Sequence, residues 1–352
     1  MKMKSEYKIS SLNYSDEERI SFFRITALWA FSESAFGGIL HALTIPFRGL
    51  FIASAAVLFI CLLALFARDN KEILKATIIV ILIKAIVSPH SPLTSYFAVS
   101  LQGSLGYLLF STIRFYKLSA LLLGILVLFF SGMQKIVVLT ILFGNTLWES
   151  INIFIMQILI ELFNITLPGI NYGNLLLALY ILLHLSTGLF IGIYAGNLPK
   201  KIKHYKNIIT PLIDDSIGEL IPEKEKRKKK SWFLRPTGVF ILLLSAGVIV
   251  LSYVSTDLDE NVAASVILML VRSVLITFIW YTVLAPIAKN LFQKFITKRK
   301  SKYSKDLNEI ISMFPEFKKI VNTCWKNSGN RKGLKRLRYF LVSSFYCLLL
   351  RS

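Results

Sequence analysis

Glu33, His41, Lys84, His90, Gln102, Gln134, Lys135 and His184 stand in or beside runs of sequence that are otherwise apolar. Carboxylate, amine, amide and imidazole groups of this kind bind polar or charged solutes. At bilayer depth each is costly unless it faces a partner or a polar cavity, which makes Glu33, in the middle of an apolar run, a functional-site hypothesis by default. Hydropathy puts Glu33 mid-depth in the first span and His41 near its outer end. Lys84 falls in the outer part of the third span, and Ser88-Pro-His90-Ser-Pro92 forms the outer loop after it. Gln102 lies in the outer half of the fourth span, Gln134 and Lys135 in the outer half of the fifth, and His184 near the middle of the sixth. Intramembrane ionisable groups point into the bundle. Their shared level therefore predicts a polar cavity open to the outside, with Arg48 and His90 at its mouth.

Blander readings exist for single members. A lone helical histidine such as His184 is also what a hydrogen-bonded core residue looks like, Lys135 has the reach to snorkel to the interface, and the two Ser-Pro pairs are ordinary turn chemistry. Three histidines with Glu33 have the chemistry of a transition-metal set, but their positions show no ligand-pair spacing, and no metal or cofactor site is assigned. Catalytic signatures are missing: the first six spans contain no aspartate and no HExxH pair, and no Walker loop occurs in the chain. The sequence points to binding and away from an enzyme.

With 55% hydrophobic residues, 17% charged residues and a mean hydropathy of +0.61 over 352 residues, the chain reads as an all-α polytopic membrane protein. Its net charge of +21 is concentrated in two blocks, Pro199 to Arg235 and Lys289 to Ser352. Both follow apolar segments, which is where basic residues orient spans and meet anionic lipid, so the charge calls for no nucleic-acid partner. Cys61, Cys324 and Cys347 have no short spacing and support neither a disulfide framework nor a thiolate metal site. The first twenty residues are polar, so the first span is itself the expected insertion signal.

Spans are predicted at Ile25 to Leu43, Leu50 to Phe66, Ile73 to Val87, Ser95 to Thr112, Leu118 to Phe143 and Leu175 to Ala195, and a further two at Gly238 to Val254 and Val262 to Ala285. Gly144-Asn145 interrupts the long run after the fifth, and Thr146-Leu-Trp-Glu149 fits a capping box, so a new helix is expected there. Its polar residues, Glu149, Ser150, Asn152, Gln157 and Glu161, occupy roughly half the circumference, the pattern of a helix lying in the outer interface. This predicts a cytosolic segment over 1–22, a six-span bundle over 23–198, a basic cytosolic linker over 199–235, a transmembrane hairpin over 236–288 and a basic cytosolic or interfacial tail over 289–352. Phe314-Pro315 is expected to break a helix in that tail. Arg272 reads as a pairing residue. Thr26, Ala30, Ser34 and Gly38 recur every fourth position and draw a smooth stripe along the first helix, against which another helix can come close.

Ala27 to Leu43 (ALWAFSESAFGGILHAL), Leu82 to Pro92 (LIKAIVSPHSP) and Ala98 to Gly106 (AVSLQGSLG) resemble S-component-like bacterial membrane proteins, the substrate-binding subunits of energy-coupling factor (ECF) transporters. The resemblance covers about Arg24 to Pro199. It implies a six-helix S-component bundle in the bacterial inner membrane with both termini cytoplasmic, and a small vitamin-like solute as ligand; Lys84 and Lys135 favour an anionic group on that solute. It also implies docking of a transmembrane T component on Thr26, Ala30, Ser34 and Gly38, and uptake powered by partner ATPases. The added hairpin and tail depart from that family, carry no coupling motif of a T component, and read as an accessory module. From a different class, a membrane-anchored scaffold recruiting a cytosolic partner through the basic segments fits the same charge pattern, and a transition-metal uptake component is a third reading.

Overall fold

In a computed structural model the chain is described over residues 14–37, 47–88, 91–165, 169–202, 262–329 and 331–350. His41, His90, Gly38, most of the basic linker and the first helix of the expected hairpin lie outside these residues. The described residues form eleven α-helices, here α1 (Tyr14–Phe31), α2 (Arg48–Phe66), α3 (Lys71–Val87), α4 (Leu93–Thr112), α5 (Tyr116–Phe143), α6 (Thr146–Phe163), α7 (Tyr172–Gly196), α8 (Val262–Ile279), α9 (Ala285–Lys302), α10 (Ser304–Asn327) and α11 (Gly333–Leu350). A π-helical turn, Ser32–Phe36, extends α1, and another, Trp280–Leu284, joins α8 to α9. No strand occurs among them. Among the described residues five stretches are long and apolar enough to cross a membrane: Arg48–Phe66, Tyr116–Phe143, Thr146–Phe163, Tyr172–Gly196 and Ile267–Lys302. The protein is an all-α membrane protein.

The chain divides into two compact units, one of Met1–Phe129, Leu185–Pro222 and Ile296–Ser352, the other of Phe130–His184 and Glu223–Phe295. In the first, α1 is the centre. Every residue from Phe22 to Ala30 is buried, Arg24 included, which is the signature of a helix enclosed on all sides. It packs on α2, α3, α10 and α11, while α4 packs on α2 and α3. Hydropathy places the start of this helix at Ile25. In fact it begins at Tyr14, because Asp16, Glu17 and Glu18 are good first-turn residues opposite the helix dipole although they are hydrophilic.

The tail differs most from expectation. Pro315 does not break its helix: α10 runs through it from Ser304 to Asn327. Nor does the tail stand apart from the bundle. Leu307, Ile310, Phe317 and Ile320 form a buried face of α10, which meets α1 and α3 with the ion pairs Arg19–Glu309 at 2.9 Å, Arg24–Glu316 at 3.6 Å and Lys75–Asp306 at 3.0 Å. A charged stretch with apolar residues at three- and four-residue spacing covers a core helix as readily as it rests on a lipid surface, and composition alone does not choose between them. Along the other edge, Tyr116 donates its hydroxyl proton to the Cys61 carbonyl at 3.0 Å, tying α5 to α2.

In the second unit α6 begins at Thr146 as the Gly144-Asn145 break predicts, but no capping box forms. The backbone N–H groups of Trp148 and Glu149 donate to the Asn145 carbonyl, and Asn145 makes no side-chain cap. Although expected to lie in the interface, α6 also has the length and composition of a span. Gly144 turns with φ +70°, and Arg272 of α8 donates to the Phe143 carbonyl beside it. That contact satisfies one of the free carbonyls at the end of α5 with a cation, where the helix dipole favours one. A methyl group at Gly144 would sit 2.6 Å from the Arg272 guanidinium carbon, whereas one at Gly169, with φ +83°, meets nothing within 4 Å. Gly169→Ala is therefore expected to cost about 1–2 kcal/mol from backbone strain alone. Gly144→Ala should cost more, because Arg272 must also move, and thermal unfolding of the two variants side by side checks the difference.

Candidate functional site

Glu33 and Lys84 meet. Lys84 Nζ donates to Glu33 Oε2 at 2.8 Å, with 6% of the lysine side chain and 3% of the glutamate side chain exposed. Two local features bring them together. Glu33 sits in the π turn, where the extra residue per turn re-aims side chains and which is often found at functional sites. Lys84 lies in the last turn of α3, where free carbonyls favour a cation. Tyr96, near the start of α4, has its ring centroid 5.9 Å from Lys84 Nζ and donates its hydroxyl proton to the Ser88 carbonyl at 3.3 Å. Ser91 Oγ and Ser88 Oγ are 2.9 Å apart.

Its polar valences are not all used. Glu33 Oε1 and the Trp29 indole Nε1 are buried without a hydrogen-bond partner. Trp29, one turn before Glu33, interacts with its carboxylate without reaching hydrogen-bond geometry. Buried polar groups are normally satisfied, and each that is not calls for an explanation. Here an acceptor and a donor beside an ion pair interact without completing a hydrogen bond.

Gln102 is buried on α4 with Oε1 unpartnered. It is displaced by about 9 Å along the helix from Tyr96, six residues at 1.5 Å each, and the adjacent Gly103 packs against Thr77 of α3. In the second unit, His184 Nδ1 lies 2.9 Å from the Tyr180 carbonyl and its ring 4.4 Å from the Tyr180 ring. A carbonyl only accepts, so Nδ1 carries the proton. Gly132 supplies the flat seat against which that imidazole packs. Lys135 is exposed, its Nζ 5.9 Å from the Tyr180 ring centroid, and Gln134 is half-buried. These contacts are those of a packed helix pair.

The stripe on α1 has a local role here. Thr26, Ala30 and Ser34 are buried, and the Thr26 and Ser34 hydroxyls donate to the carbonyls of Phe22 and Ala30 one turn back. The described part of that face is occupied by the chain's own helices. Trp29 and Tyr96 went unnoticed in the sequence. Trp29 is four residues before Glu33, the spacing that puts two side chains on one helix face, and that spacing was the available signal.

Fold and site together define an all-α membrane protein in which the π turn extending α1 and the last turn of α3 contribute a buried carboxylate–ammonium pair. No family model, curated protein or solved structure matches the chain. Among the described residues no three His, Cys, Asp or Glu side chains converge as a metal-binding group.

Proposed function

We propose that this chain is the substrate-binding membrane subunit of an ECF-type uptake transporter in a bacterial inner membrane, and that its solute is small and carries an anionic group. The observation that carries the reading is the dry Glu33–Lys84 pair with unused polar atoms on either side. Lys84 is the group that takes the anion. On binding, the solute's carboxylate or phosphate replaces Glu33 at Nζ, and the released Glu33 carboxylate is met by Trp29 Nε1–H and by donor groups of the solute. Lys84 then keeps an anionic partner, while the Glu33 carboxylate exchanges its ammonium for hydrogen-bond donors, which a low-dielectric site requires of any charge left without a counter-ion. The π turn supplies the local adjustability for Glu33 to move. The reading counts six spans in the substrate-binding bundle. With no nucleotide-binding loop in the chain, energy comes from partner ATPases through a T component. Docking on Thr26, Ala30 and Ser34 would require the chain's own helices to part from α1.

The test is mass spectrometry of small molecules retained by the purified full-length protein. Lys84→Met should retain at least ~10-fold less solute than wild type, the loss expected for a charge-assisted hydrogen bond, while Lys135→Ala tests the other lysine expected to bind the solute. Undiminished retention in a folded Lys84→Met protein would remove the proposed site.

A further inference from the structure

Cys324 on α10 and Cys347 on α11 lie outside every stretch with the length and composition of a span. Their wide spacing in sequence gave no sign of pairing, yet the α10–α11 hairpin brings both to one small cavity, which Thr323, Tyr339 and Ser343 also line. The hairpin is firmly held. Trp325 and Phe340 stack edge to face with centroids 5.0 Å apart, the Arg336 guanidinium covers the Trp325 ring at 4.3 Å, and Arg336 Nε donates to Ser328 Oγ at 3.3 Å. Within it the two thiols line the same cavity and influence each other's proton affinity. The neighbouring Cys347 thiol, against the opposing effect of burial, holds the Cys324 thiol down at about 6. The same proximity, with burial, pushes the Cys347 thiol up. One sulfur is thereby a ready thiolate and its neighbour keeps its proton, the division of labour between an attacking and a resolving cysteine.

We propose that Cys324 and Cys347 form a reversible disulfide that staples α10 to α11, made by hydrogen peroxide and undone by a dithiol reductant. The Cys324 thiolate attacks one peroxide oxygen. The O–O bond breaks, hydroxide leaves, and Cys324 becomes a sulfenic acid. The Cys347 sulfur then displaces that oxygen, the S–S bond forms, and the Cys347 proton departs with the oxygen as water. Two electrons pass from the two thiols to the peroxide. Because α10 and α11 both pack on α1, the oxidised staple stiffens the layer covering the helix that bears Glu33.

Peroxide treatment of the purified full-length protein, followed by alkylation and peptide mass spectrometry, tests this. A Cys324–Cys347 cross-linked peptide, two hydrogens lighter than the reduced pair and removed by dithiothreitol, is expected, with Cys61 recovered as a free thiol. In Cys347→Ser the sulfenic acid should persist and be trapped on Cys324 by dimedone. Over-oxidation of Cys324 beside an unreacted Cys347, or absence of both the cross-link and the dimedone adduct, would overturn the proposal.

Discussion

Lys84→Met is expected to destabilise the folded protein by about 3–5 kcal/mol, because it leaves the Glu33 carboxylate as an uncompensated charge in a site that excludes water. Only 3% of that side chain is exposed, and its one cationic partner among the described residues is removed. Glu33→Gln should do comparable damage from the other side by stranding the ammonium. The double variant Glu33→Gln/Lys84→Met should recover most of the loss, since a buried ion pair replaced by neutral groups of similar size is often no worse than the pair itself. Thermal unfolding in detergent, followed by tryptophan fluorescence, gives all three values, and the coupling between the two sites follows from the cycle. If the single and double variants are equally stable, the two groups do not depend on each other. The double variant also separates two roles. A pair that serves only the fold leaves solute retention intact when neutralised in a stable protein, whereas a pair that binds the solute loses retention while stability returns.

Helices were legible because bilayer solvation demands long apolar stretches. The predicted starts at Leu50, Ile73, Ser95 and Leu118 fall close to the observed starts at Arg48, Lys71, Leu93 and Tyr116. Gly144-Asn145 announced the break before α6. Partners were far less legible. Glu33 and Lys84 are 51 residues apart, and both stood out as costly, yet nothing in their local sequence says that they touch. The same gap hid Cys324 and Cys347, whose proximity depends on a hairpin that composition rendered as a basic tail. The π turn left no mark in the sequence, because one extra residue in a helical turn does not alter an apolar pattern.

Burial of α1 under α10 and α11 also changes what truncation can show. Removing the chain from Pro199 onward is the direct way to separate a solute-binding core from a scaffold acting through its basic segments. Such a deletion strips Glu309 and Glu316 from Arg19 and Arg24 and uncovers an enclosed helix, so lost activity after truncation reports on folding as much as on recruitment. Point substitutions are the better instrument here, and they need a reference for what mere packing costs.

The glycines of α7 provide that reference. Within a bilayer, helices gain little from burying apolar surface against one another, because lipid is equally apolar, and close backbone packing carries the association. A Cβ at Gly188 would lie 2.6 Å from the Gly124 carbonyl oxygen, and one at Gly192 would lie 2.8 Å from Leu121 Cα and 2.9 Å from its carbonyl oxygen. These are backbone atoms that no rotamer change can clear, so α5 and α7 must separate. At Gly196 the nearest atom, Lys117 Cα, is 3.4 Å away, an ordinary contact. Gly188→Ala and Gly192→Ala are expected to cost about 1–3 kcal/mol each, and Gly192→Leu more, whereas Gly196→Ala should be close to neutral. Thermal unfolding of the four variants ranks them, and equal losses at Gly192 and Gly196 would mean that the two helices do not meet along this seam. A stripe of small residues on a membrane helix reads as a docking surface for another protein, yet three of these glycines face α5 of the same chain. Whether a smooth face serves a partner or the fold is decided by which helix already occupies it.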